Sequence, residues 1–272
     1  MIPFNWMSQA FLMHERWWAS AMSGVRGVSR HHEEVAAFTT RQWLDIWSPS
    51  NFIMTNPEVL AQTVASGGAN LVRGAGNLLS DVYDHVLQRR PAGAEKFIPG
   101  KTVAVTPGKV IFRNRLMELI QYEAATSTVF PEPILIIPSW IMKYYILDLS
   151  PHNSLVKYLV DRGHTVFILS WKNPTSEDRE LALGDYIHQG VLAAITQILH
   201  VCPQRKIHSV GYCLGGTLLA MAAALLGREK NDCLATVTLL ASQVDFHDPG
   251  ELGLFIDESQ IAYIEDVMWE HG

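Results

Sequence analysis

Gly211-Tyr212-Cys213-Leu214-Gly215-Gly216 joins two apolar runs, one before it at residues 207–210 and one after it at 217–226. The first has the length of a buried strand and the second that of a helix. Glycine stands two residues before the cysteine and again two and three residues after it. That spacing fits a strand-to-helix turn so sharp that side chains at those places would collide with neighbouring elements. The turn would present Cys213 at its tip as a nucleophile. The amino end of the following helix would favour negative charge on the sulfur and on a developing oxyanion. A core cysteine, the ordinary setting for this residue type, requires none of the three glycines. The chemistry this predicts is acyl transfer through a covalent thioester.

Outward from the turn, residues 102–106, 110–113, 119–123, 134–137, 165–170, 207–210 and 235–241 read as strands. Residues 153–161, 185–199 and 217–226 read as helices between the later ones. Strands alternating with helices predict a parallel sheet with right-handed crossovers. The later strands are nearly continuous apolar runs, as expected where helices cover both faces. With the cysteine turn, the expected fold class is α/β, an α/β-hydrolase-type mostly parallel sheet with a helical amino-terminal region. Residues 1–90 carry no strand pattern and are rich in Trp and Phe. Thr55-Asn56-Pro57-Glu58 reads as a capping box that opens a helix. Pro91, Gly93, Pro99 and Gly100 mark a boundary within 88–100. The expected domains are therefore a helical region over 1–95 and a sheet domain over 96–272.

Composition narrows the functional classes. With 48% hydrophobic and 18% charged residues, the 272-residue chain has enough apolar side chains for a substantial core. A net charge of -6 without a basic stripe argues against nucleic acid as a partner. Three cysteines without C-x-x-C spacing suggest neither zinc nor a disulfide framework, and a catalytic thiol suits a reduced, cytoplasmic setting. No run reaches transmembrane length, and the amino terminus has no signal-peptide pattern. His31-His32-Glu33-Glu34 lacks the H-E-x-x-H spacing of a metal site. Gly74-Ala75-Gly76 lacks the third glycine and the strand of a dinucleotide site.

An oxyanion hole takes two backbone N–H donors. One is expected from Leu214, directly after the nucleophile. The other is expected from the loop Pro138-Ser139-Trp140-Ile141 after strand 134–137, with Ile141 as the donor. The base is harder to find. In this fold the acid and then the histidine follow the nucleophile, yet few residues follow Cys213. Asp245, just past strand 235–241, is a candidate acid and also an ordinary loop aspartate. His247 and the penultimate His271 do not complete a credible triad. Cys202 and Cys233 lack any comparable setting.

Several further segments carry a family resemblance. They are Ser48-Pro49-Ser50-Asn51-Phe52, Thr106-Pro107-Gly108-Lys109, Phe112-Arg113-Asn114 and Lys143-Tyr144-Tyr145-Ile146-Leu147-Asp148-Leu149. Gly163-His164-Thr165-Val166-Phe167, Ser170-Trp171-Lys172-Asn173-Pro174 and Asp245-Phe246 belong with them. Together with the cysteine turn, nearly the whole chain resembles the polyhydroxyalkanoate (poly-3-hydroxybutyrate) synthases, in a class I-like branch. The resemblance implies polymerisation of (R)-3-hydroxyacyl-CoA into a storage polyester. The nucleophile would be Cys213 in a turn built by Gly211, Gly215 and Gly216. Coenzyme A would be the leaving group, with no metal or redox cofactor. It also implies a homodimer and a cytoplasmic place on polyester granules. The family's catalytic aspartate and histidine lie far beyond the cysteine turn and match nothing here, so the expectation is a fragment ending in a cap region. Two other readings fit the same residues. One is a cysteine-nucleophile hydrolase, in which water takes the acyl group. The other is a non-catalytic granule-binding or dimerisation module, suggested by the aromatic helical region.

Overall fold

The computed structural model describes residues 3–271. The chain folds as two compact units. One comprises residues up to Ala92 with Pro249–Asp266, and the other comprises Gly93–Asp248 with the last residues from Val267.

The first unit is helical, with α1 (Pro3–Ala21), α2 (Arg30–Ile46), α3 (Pro57–Ala65) and α4 (Ala69–Val86). The cap of α3 falls one residue later than the expected capping box. Asn56 Oδ1 accepts from the N–H of Glu58 at 2.9 Å and of Val59 at 3.2 Å, satisfying two donors of the first turn. Thr55 instead donates to the Pro49 carbonyl at 2.6 Å. None of the residues of α2, α3 or α4 is buried. The segment 249–266, read from sequence as part of the sheet domain, packs within this unit. Phe255 meets Phe38 edge-on with centroids 5.3 Å apart, and Glu251 pairs with Arg41.

The second unit is built on a six-stranded sheet. Its strands are β1 (Gly108–Arg113), β2 (Met117–Tyr122), β3 (Ile134–Ile137), β6 (Val166–Trp171), β7 (Ile207–Tyr212) and β8 (Leu234–Leu240). The short strands β4 (Asp148–Ser150) and β5 (Asn153–Ser154) pair separately. The main order is β1-β2-β6-β3-β7-β8. β2 is antiparallel to both its neighbours, and β6, β3, β7 and β8 are mutually parallel. This is an α/β-hydrolase sheet, mostly parallel as expected.

The connecting helices are α5 (Leu155–Asp161), α6 (Leu183–Asp185), α7 (Ala193–Val201) and α8 (Leu214–Arg228). A π-helix (Tyr186–Leu192) lies between α6 and α7; the last helix of the chain, α9 (Glu258–His271), belongs mostly to the first unit. The unbroken apolar runs have a direct cause. On β3, Leu135 and Ile137 join one core cluster with Ile195 and Ile198 of α7 and Leu218 of α8. Ile134 and Ile136 join another with Val156 and Val160 of α5. Alternate residues enter opposite cores, so each is apolar, and each contributes about 1.5–3 kcal/mol on burial.

Two sequence expectations fail in this unit. Residues 102–106 form no strand, because they wrap a buried carboxylate. The Ala104 N–H donates to the Asp148 carbonyl at 2.9 Å, and Thr106 Oγ1 donates to Asp148 Oδ1 at 2.6 Å. Ala104 takes a positive φ of 53° to do so. β8 is not covered on both faces either. Val237 and Leu239 are 43% and 40% exposed, and among the described residues only β7 pairs with this strand.

β3 has β6 on one side and β7 on the other, and the connection from β6 to β7 passes over it. The sheet therefore reverses its winding at β3. The crevice beyond the carboxyl ends of such strands is where open α/β sheets bind ligands. Three segments converge there: the loop after β3, the end of β6 and the turn after β7.

Candidate active site

β7 ends at Tyr212 and α8 starts at Leu214, leaving Cys213 alone at the turn with φ 55° and ψ -128°. A non-glycine residue in this region costs on the order of 1–3 kcal/mol, and the surroundings must impose it. They do so by hydrogen bonds and by close packing. The Cys213 N–H donates to the Leu240 carbonyl of β8 at 2.9 Å, and the Cys213 carbonyl accepts from Gly216 N–H at 2.9 Å. A Cβ on Gly211 would lie 2.8 Å from Gly216 N and closer still to its Cα. One on Gly215 would lie 2.6 Å from Pro138 C and overlap the Ile137 carbonyl. One on Gly216 would reach 2.6 Å from Ser242 Cβ and overlap its hydroxyl. A side chain on any of the three glycines would therefore run into these neighbours.

Leu214, the first expected donor, begins α8, where N–H groups have no intrahelical acceptor. Among the described residues its N–H makes no hydrogen bond. The loop with the second expected donor leaves β3 beside β7, since Ile137 is in register with Gly211. The Ile141 side chain is exposed, and its N–H donates over a long 3.4 Å to Ser139 Oγ. Ser139 is fully buried, and its carbonyl closes a turn by accepting from Met142 N–H at 3.2 Å. Sequence reasoning missed this serine and also Trp171, whose indole Nε1 donates to the Pro138 carbonyl at 2.8 Å. It missed Thr217 too, which ties the first turn of α8 to the loop after β8 through the Gln243 carbonyl at 2.7 Å.

Among the described residues no imidazole is hydrogen-bonded to Cys213 Sγ. Asp245 accepts from the His247 N–H at 3.0 Å and lies 2.5 Å from the His247 ring Nδ1, with both side chains exposed. The backbone donor, and then the ring, holds this carboxyl below its ordinary range. Asp245 thus closes its own loop. His271 ends α9 with its ring 4.0 Å from Glu270.

The other two thiols differ in setting. Burial pushes the thiols of Cys202 and Cys233 upward from their ordinary value. Thiolate is the reacting form, so iodoacetamide near neutral pH is expected to label Cys213 first. Peptide mass spectrometry of a time course checks this; equal rates at the three cysteines would contradict it.

At the same end of the sheet, a cavity of about 300 Å³ is lined by Arg113, Asn114, Arg115, Glu118, Ser170 and Lys172. Two of its cations are held by the buried Asp178, which takes Lys172 Nζ at 2.7 Å and Arg115 Nε at 3.2 Å, while Arg113 pairs with Glu118 at 2.6 Å. Lys172 and then the Thr175 N–H depress the Asp178 carboxyl to about 2. A depressed folded-state value adds stability that is present above the unfolded value, near pH 4, and lost as pH falls toward 2. Asp178→Asn is therefore expected to melt below wild type at neutral pH, with the two melting curves converging between about pH 4 and pH 2. A gap independent of pH would contradict the assignment.

Comparison with known proteins bears on the whole chain. Residues 2–159 match the family described as "Poly-beta-hydroxybutyrate polymerase (PhaC) N-terminus", and residues 132–264 match "alpha/beta hydrolase fold". The chain is 44% identical to the poly(3-hydroxyalkanoate) polymerase of Methylorubrum extorquens, over 99% of this chain and 45% of that protein. It is 41% identical to the poly(3-hydroxyalkanoate) polymerase subunit PhaC of Rhizobium etli, over 99% and 43%. It is 36% identical to that of Cupriavidus necator, over 97% and 44%. The chain thus spans a little under half the length of these relatives. Among the described residues, no helix is long and apolar enough to cross a membrane.

Proposed function

This chain belongs to the poly-beta-hydroxybutyrate polymerase family, and on that premise we propose that its Cys213 carries the growing acyl chain of a polyhydroxyalkanoate as a thioester. The observation that carries the reading is the strained Cys213, held by three glycines at the sheet's switch point beside an unused Leu214 N–H. The substrate is an (R)-3-hydroxyacyl-CoA, in keeping with the polymerase names of the relatives.

The Cys213 thiolate attacks the thioester carbonyl, and the N–H groups of Leu214 and Ile141 receive the oxyanion. For Ile141 this means giving up its long bond to Ser139. The carbon–sulfur bond to coenzyme A then breaks, coenzyme A leaves as the thiol by taking the proton that the base removed from Cys213, and the acyl group stays on Cys213. A hydroxyl from a second acyl unit attacks that thioester, forms the ester and frees the cysteine. Thioester exchange is nearly balanced, so the ester-forming step drives the cycle. Each step is redox-neutral and needs only a nucleophile, donors and a base, so no metal or redox cofactor enters. The base is a histidine outside the residues of this chain, oriented by an aspartate also outside it. The polyester remains at the protein as a granule in the cytoplasm, and the complete polymerase works as a homodimer.

Incubation of the chain with labelled (R)-3-hydroxybutyryl-CoA tests the reading. Label retained on the protein as a thioester supports it. Quantitative release as free hydroxyacid would assign the turn to a hydrolase instead, and no transfer at all would end the catalytic reading of this chain.

A further inference from the structure

Ser170-Trp171-Lys172-Asn173-Pro174 has no part in the chemistry above, yet Trp171 touches the segment that supplies an oxyanion donor. We propose that Trp171 is a positioning residue, which fixes the backbone of the donor loop 138–141 through its indole N–H. The inference rests on the reading of that loop given above.

The peptide joining Pro138 to Ser139 is planar, so the direction of the Pro138 carbonyl also sets that of the Ser139 N–H and the path into the turn. The proline ring already restrains φ at 138, leaving ψ as the main freedom there. The 2.8 Å bond from Trp171 Nε1 to the Pro138 carbonyl removes it, in a buried setting where the bond is not traded for one to water. The same Pro138 backbone lies against Gly215 at the start of α8, so this carbonyl is pinned between the indole and the cysteine turn.

The indole is itself clamped. Its ring lies 5.4 Å from the Tyr186 ring, and Tyr186 also packs 5.6 Å from Trp140 within the donor loop. Gly190 lies under it: a Cβ there would come 2.5 Å from Cη2 and 2.6 Å from Cζ3 of Trp171. Tyr186 and Gly190 both belong to the π-helix, a winding that proteins retain mainly where local geometry matters. Asn114, in the turn between β1 and β2, donates to the Gln189 carbonyl of that helix at 2.7 Å. One continuous chain of packing and hydrogen bonds therefore runs from the β1–β2 turn through the π-helix and the indole to the donor loop.

The test compares the chain with its Trp171→Phe variant, which keeps a ring but loses the donor, and with Gly190→Ala, which keeps the donor but displaces the ring. Two readouts are taken. Hydrogen exchange of the peptide over 138–142 is expected to accelerate about tenfold in both variants, with the α7 peptide unchanged. Loading of Cys213 from (R)-3-hydroxybutyryl-CoA is expected to slow by about tenfold. Alkylation of Cys213 by iodoacetamide, which needs no oxyanion hole, is expected to stay within about twofold. Unchanged exchange over 138–142 would overturn the proposal whether or not the wild-type chain loads an acyl group. So would slower loading accompanied by faster alkylation of Cys202 and Cys233, which reports general loosening. Failure of the wild-type chain to load would instead count against the polymerase reading, and the exchange measurement would still decide the role of Trp171.

Discussion

Cys213→Ala is expected to leave no acyl loading, a loss of about 10³-fold or more, with the fold intact. The magnitude follows from the chemistry: without the sulfur no thioester forms, and oxyanion donors alone have nothing to stabilise. The side chain is small and only partly buried, so its removal leaves little cavity. The φ of 55° is imposed by the surrounding glycines and hydrogen bonds, and alanine tolerates it as well as cysteine does. Cys213→Ser tests the element itself. A hydroxyl ionises far less readily than a thiol near neutral pH, so serine is also expected to load poorly without a base. Loading rates against circular dichroism and melting temperature separate these effects. Wild-type loading by Cys213→Ala would place the acyl group elsewhere and end the account.

Gly215→Ala is expected to have the largest structural effect of any single methyl added to the sheet unit. The new Cβ would occupy the space of the Ile137 carbonyl and sit 2.6 Å from Pro138 C, and both are backbone. Backbone at the end of a buried strand cannot swing aside as a long side chain can, so α8 or the donor loop has to move. Overpacking of this kind costs about 3 kcal/mol, or roughly 10 °C in melting temperature for a unit of this size. Either displacement also separates the two N–H groups proposed to receive the oxyanion, so loading should fall by about 100-fold even in the folded fraction. Gly74→Ala in α4 is the matched control. Nothing lies within 4 Å of its Cβ position, so it should be neutral or stabilising by up to about 1 kcal/mol. Equal melting shifts for the two variants would mean that Gly215 is not held by close approach.

The turn was legible because its constraints are local. Glycines at fixed offsets from a cysteine, between a strand-length and a helix-length apolar run, leave few alternatives, and the strained Cys213 is their direct outcome. The buried strands were legible for a related reason, since continuous apolar runs such as residues 134–137 report burial on both faces. What stayed hidden depends on partners distant in the chain. Residues 102–106 read as a strand by composition, but the group that bends them is Asp148, more than forty residues on. The helix expected over 185–199 has ordinary apolar periodicity, which gives no sign that its first half winds as a π-helix. The roles of Ser139 and Trp171 rest on single hydrogen bonds that no spacing rule predicts. β8 is apolar enough to be read as covered on both faces, yet most of its side chains are exposed.

The most direct test of the central claim is peptide mass spectrometry of the chain after exposure to (R)-3-hydroxybutyryl-CoA. A mildly alkaline buffer, which raises the share of thiolate, suits the reaction. The account predicts a hydroxybutyryl group on the peptide carrying Cys213 and none on those carrying Cys202 or Cys233, whose thiols burial pushes upward. An unmodified Cys213, or acyl groups spread evenly over the three cysteines, would contradict it.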